Sequence, residues 1–188
     1  MPGHGSAAGD TMGYVQHVAL FRNVNQGQRG HPSADQIVAA FRAAGAVDAV
    51  TFQSNGTVVF TARDAAAAAV AVRHRLGDDG VFDDLIEVRP LSFLELIVAE
   101  HAGAPDAHRR ELTLFDEAVR LGDASIAHRE ATKRRCSVVA DGAGWAVVLN
   151  DRDRQSNGTP AVQAIIGAPA TSRGLPTLAR LIDRFAAR

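Results

Sequence analysis

The chain has 188 residues, 46% hydrophobic and 22% charged, which excludes a disordered polyampholyte and supplies one good core or two small ones. Its 20 basic and 21 acidic side chains cancel to a formal charge of −1, so there is no global field to draw in DNA or an anionic membrane. A single cysteine, Cys136, excludes an internal disulfide and fits a reducing compartment.

Residues 1–12 lack the basic and apolar regions of a signal peptide, and no apolar run approaches the roughly 18–20 residues that span a bilayer. They are read as a disordered tail, and the protein is expected to be cytoplasmic, with no membrane partner. Tyr14–Phe21 is an apolar run that predicts a largely buried strand. Asn23–Pro32, with its glycines, asparagines and proline, predicts a loop. Ser33 is a good helix N-cap, and Ile37, Val38, Phe41 and Ala44 recur at helical spacing until Gly45. Val47–Phe52 and Thr57–Thr61 flank Asn55-Gly56, a two-residue hairpin signal because both residues tolerate positive φ. Asp64 caps an alanine-rich helix to about Leu76, and Asp84–Arg89 reads as a fourth strand closed by Pro90.

The second half predicts a helix from Phe93 to His101 capped by Ser92, a strand at Glu111–Phe115 and an ambiguous charged stretch over 116–132. A second hairpin is expected about Asp141-Gly142, between Arg135–Ala140 and Trp145–Leu149. A polar loop over Asn150–Gly158 and helices at Thr159–Ile166 and Leu175–Phe185 follow. The fold class is therefore α+β: a ferredoxin-like βαββαβ unit over 13–90 and a second, smaller α+β subdomain over 91–188 packed on it. The pentapeptide Gln-Ser-Asn-Gly-Thr occurs at 53–57 and again at 155–159, which is read as a coincidence of turn-forming residues rather than a duplicated site.

Leu20-Phe21-Arg22-Asn23-Val24-Asn25-Gln26-Gly27 and Gln53-Ser54-Asn55-Gly56-Thr57-Val58-Val59-Phe60 carry a resemblance. They are similar to the paired motifs of the bacterial DUF1697 family, in which a Leu-Arg-Gly-Ile-Asn-Val-Gly-Gly segment precedes Gln-Ser-Gly-Asn-Val-Val-Phe. Thr171-Ser172-Arg173 is similar to the family's C-terminal Thr-Thr-Arg. The chain departs at Asn23, where the family has glycine, at the Ser54-Asn55-Gly56 turn, and in lacking an Asn-Trp-Asn triplet after Arg173. The resemblance implies α+β units over residues 14–187 and no particular activity.

Arg22, Asn23, Asn25, Gln53, Ser54 and Asn55 follow the ends of two strands, and Thr171 and Arg173 precede the last helix. Arginine forks beside amide and hydroxyl donors suit a carboxylate or phosphate, so these eight residues form a candidate ligand site for a small anion. No P-loop, Gly-x-Ser-x-Gly or Gly-x-Gly-x-x-Gly is present, and no histidine or cysteine spacing suits zinc, so no catalytic residue, metal or cofactor is assigned. An enzyme without a recognisable nucleophile stays open as an alternative. So does a nucleic-acid-binding module using Lys133-Arg134-Arg135 and the sheet face with Phe52 and Phe60. A homodimer through an edge strand is possible on the sequence.

Overall fold

The computed structural model of the chain describes residues 14–186; the tail expected over 1–12 lies outside them. The first half runs β1 (Val15–Phe21), α1 (Ala34–Ala43), β2 (Val47–Phe52), β3 (Thr57–Ala62), α2 (Ala65–Asp78), β4 (Ile86–Pro90) and α3 (Leu91–His101). After a 3₁₀ turn come β5 (Arg110–Leu114), α4 (Ala124–Lys133), β6 (Cys136–Gly142), β7 (Trp145–Asn150), α5 (Gly158–Ile166), β8 (Thr171–Gly174) and α6 (Leu175–Phe185). The two sheets are antiparallel, in the orders β2-β3-β1-β4 and β6-β7-β5-β8. The second half therefore repeats the first, element for element, as βαββαβ followed by a helix. It is a second copy of the same topology.

Successive residues of β1 alternate between two cores. Ala19 and Phe21 pack beneath α1 and α2, whereas Val18 and Leu20 join a cluster with α3, α6, β5 and β7. A third cluster lies beneath α4 and α5. With both faces of a sheet covered, a strand reads as a continuous apolar run instead of alternating with polar residues. Phe60 is buried against Phe41 at 4.5 Å between ring centroids, and Phe52 meets Phe185 edge-on at 6.1 Å. The sheet aromatics considered for nucleic-acid stacking are thus part of the packing.

Several local expectations need correcting. The helix expected to be capped by Ser92 begins at Leu91, directly after Pro90, with no side-chain cap. The Asn55-Gly56 hairpin is a longer turn in which positive φ falls on Gln53 (59°) and Gly56 (70°). The Asp141-Gly142 turn sits further along, because β6 continues to Gly142 and Gly144 takes φ 76°. Thr171–Gly174, read as a helix lead-in, is the edge strand β8, paired to β5. The ambiguous stretch resolves into α4, whose N-cap Asp123 accepts from the backbone of Ser125 and Ile126.

Candidate functional site

Six of the eight predicted residues lie in the loops at one end of the first sheet, while Thr171 and Arg173 lie on β8 of the second, from which Arg173 reaches into that end. The loop after β1 is tied to the β2–β3 turn by Gln26 N–H donating to Ser54 O at 2.7 Å and Phe21 N–H donating to Gly56 O at 2.8 Å. Gly56 allows this approach, since a Cβ there would lie 2.8 Å from the side chains of Phe21 and Val24. Arg22 turns to the other neighbour, donating from Nη1 to Asp84 at 3.1 Å, and Asn23 donates to the same carboxylate at 3.0 Å. Asn25, Gln53 and Ser54 are exposed or half-exposed loop residues, and Asn55 accepts from the Thr57 hydroxyl at 2.8 Å.

Arg173 is nearly buried and gives all five of its donors to the protein. Nε donates to Thr57 Oγ1, Nη1 to Thr171 Oγ1 and Ser172 O, and Nη2 to Phe21 O and Asn55 O. Burial pushes its guanidinium down to about 10, which leaves it charged at neutral pH. No donor remains for an external anion, so Arg173, held by Thr171 on the same strand, ties the second repeat to the first. Arg22 keeps spare capacity: its Nε is buried with no partner among the described residues, as is Nε2 of Gln26.

The repeat supplies a counterpart. Arg89 sits opposite Val18 in its sheet as Arg173 sits opposite Leu112 in the other. Arg89 donates to Phe115 O at 2.7 Å and Gly144 O at 3.0 Å, in the second repeat, and to Val88 O and Glu87 Oε2 beside it. Its Nε pairs with Glu117 at 3.1 Å. Phe115 corresponds to Phe21, so Asp116 and Glu117 occupy the places of Arg22 and Asn23, and Glu87 that of Thr171. The chain therefore carries two related junctions, one bearing Arg22 and the other three carboxylates.

The acidic junction opens onto a cleft of about 900 Å³ lined by both repeats. Its walls include Ala69 and Val70 of α2, Ile86 and Val88 of β4, and the Asp116–Glu117 loop. Glu87 lines it at 8% exposure, and burial raises its carboxyl above the ordinary value, against the pull of Arg89. None of these residues was singled out from sequence. Charged Glu87 and Arg89, two apart on a strand, were the available signal, because they share one face of a sheet whose other residues there are apolar.

Other sequence features have structural explanations. Lys133 and Arg134 are drawn onto Glu130, at 2.8 and 3.0 Å, and these cations hold that carboxyl down at about 2. The second Gln-Ser-Asn-Gly-Thr copy begins α5, where buried Glu111 accepts from Ser156 Oγ at 2.5 Å and Gly158 N–H at 2.9 Å. The first copy forms the β2–β3 turn instead, so the two are not equivalent in the repeat. Cys136 is buried, with its thiol pushed up to about 11. Among the described residues no group of three His, Cys, Asp or Glu side chains comes together to hold a metal, and no helix is long and apolar enough to cross a membrane.

Two βαββαβ repeats locked by exchanged arginines, with a junction at each exchange, define the class of protein. The profile of the family described as "Protein of unknown function (DUF1697)" matches residues 15–138, and the chain belongs to that family. Among solved structures it is similar to "conserved bacterial protein SP0830 from Streptococcus pneumoniae", at TM-score 0.62 and 14% identity, over 93% of this chain and 100% of that one. That likeness extends the shared fold across both repeats. No curated protein matches the chain.

Proposed function

We propose that the protein is a small-molecule binder whose ligand occupies the cleft between the repeats. The observation that carries this reading is a concavity of about 900 Å³ with a buried carboxyl, Glu87, in its wall, raised above its ordinary value by burial. Ligand sites favour concave junctions of this size, and carboxyls shifted by burial collect in them. The walls come from both repeats, so a bound molecule would bridge them.

The test is a thermal-shift screen with amines, nucleotides, sugar phosphates, dicarboxylates and short oligonucleotides. A ligand at 100 times its dissociation constant adds roughly 2.7 kcal/mol, or on the order of 5–10 °C for a chain this size. Val70→Trp, at an exposed wall position, should abolish the shift by filling the cleft. A hit indifferent to that change would place the ligand elsewhere.

A second reading keeps the anion site at Arg22, Asn23, Asn25, Gln53, Ser54 and Asn55. It is favoured by the unpartnered donors Arg22 Nε and Gln26 Nε2. An anion shift lost in Arg22→Ala and kept in Val70→Trp would select it.

A further inference from the structure

Strand β4 presents an open edge to the cleft. Among the described residues it pairs with β1 alone, in an unbroken register from Phe21 with Ile86 to His17 with Pro90. In β1 the Phe21 N–H donates to Gly56 O toward β3, and the Arg22 N–H donates to Leu85 O toward β4. Backbone groups of successive strand residues point to opposite sides. Leu20 and Val18 therefore bond Glu87 and Arg89, and the backbone of Ile86 and Val88 points away from the sheet. Arg89 Nη1 donates to Val88 O at 2.8 Å. The N–H and C=O of Ile86 and the N–H of Val88 have no partner among the described residues. All six residues from Leu85 to Pro90 line the cleft. A strand presenting one face would contribute only alternate residues, so the cleft runs along the edge itself. The edge strands β2 and β6 break register, between Val47 and Val50 and between Val138 and Ala140, a device that discourages added strands. Strand β4 has no such break.

The two sides of this edge differ. Ile86 and Val88 pack toward the core beneath α2, and that side is walled by Ala69 and Val70, with Arg63 and Arg73 beside them. Glu87 and Arg89 turn the other way, toward Asp116 and Glu117. That wall holds three carboxylates against one guanidinium, whose donors all lie on protein atoms. A strand laid along β4 would send alternate side chains to the two walls. We infer that the cleft takes a short peptide in extended conformation, which adds a strand to β4 by bonding the free backbone groups of Ile86 and Val88. Its aliphatic residues face α2, and the lysines or arginines between them face Asp116 and Glu117. This deepens the reading of the cleft as a ligand site and rests on it.

The experiment is titration calorimetry of the full chain with the capped peptides Val-Lys-Val-Lys-Val and Val-Glu-Val-Glu-Val. Two further forms of the first carry N-methyl groups on its valine amides or on its lysine amides. The lysine peptide should bind more tightly than the glutamate one. Methylation of one alternate set should weaken binding about tenfold or more, the valine set for antiparallel addition and the lysine set for parallel, while the other set leaves it unchanged. Val88→Pro removes an outward N–H without touching the ladder to β1, and should match that loss. Equal tolerance of both methylated forms overturns strand addition; loss of that binding in Val70→Trp would leave the cleft reading standing. Silence of both peptides overturns the peptide class, whereas a screening hit blocked by Val70→Trp would still support the cleft. Peptide binding that survives both Val70→Trp and Val88→Pro overturns both. A dimer in sedimentation that Val88→Pro dissolves would put a second copy on the edge and overturn the peptide assignment.

Discussion

Arg89 and Arg173 hold the same position in the two repeats, and each guanidinium crosses to a carbonyl at the end of the other repeat's first strand, Phe115 O for one and Phe21 O for the other. Each also reaches the adjoining hairpin, at Gly144 O and Asn55 O. A buried guanidinium is tolerated only when its donors are met, and here carbonyls and hydroxyls of both repeats meet them. The contact between repeats is thereby specified by geometry as well as by the apolar cluster around α3 and α6.

Removing either arginine should destabilise the whole chain. Arg173→Ala strips partners from Phe21 O and Asn55 O and is expected to cost about 2–4 kcal/mol. Arg89→Ala also leaves Glu87 without its counter-charge, and should cost about 3–5 kcal/mol. Lysine at either site keeps the charge but lacks the fork, so it should recover only part. Urea unfolding midpoints measure this; an alanine variant within about 0.5 kcal/mol of wild type would remove the clasp from the account.

Glu87 should give stability an inverted pH dependence. Burial raises its folded-state value above 4.5, Arg89 opposes, and Asp116 and Glu117 add to the rise. The folded state then holds the proton longer than the unfolded one, so this contribution is full below 4.5 and is lost as pH rises through the raised value. Glu87→Gln cannot titrate. Paired thermal melts should therefore show the variant gaining on wild type as pH climbs through that window. A difference that is flat with pH, or of opposite sign, contradicts the assignment.

Cys136 should be chemically silent in the folded protein. Its thiol is buried, donates to Ala131 O at 3.4 Å, and is pushed up to about 11, chiefly by burial and also by Asp151 and Glu111. The thiolate is the reactive form. A disulfide reagent at pH 8 should leave the native thiol unmodified and take up one equivalent in urea. Rapid labelling of native protein would contradict this.

By itself the sequence determined the local pieces and the family. Ser33 and Asp64 cap the helices expected of them, and the apolar runs at 15–21 and 57–62 are strands. These follow from capping and strand signals confined to neighbouring residues. Only the tertiary structure decided that the second half repeats the first, since the repeat is one of topology and the letters it shares, such as Phe21 with Phe115 and Arg89 with Arg173, are too scattered to read as a repeat. The same holds for the role of Arg173, legible as a cation but not as one with every donor taken by residues up to 152 positions away. Glu87, Asp116 and Glu117 meet only because two sheets pack through α3 and α6, and a long-range encounter of that kind leaves no period or spacing to read.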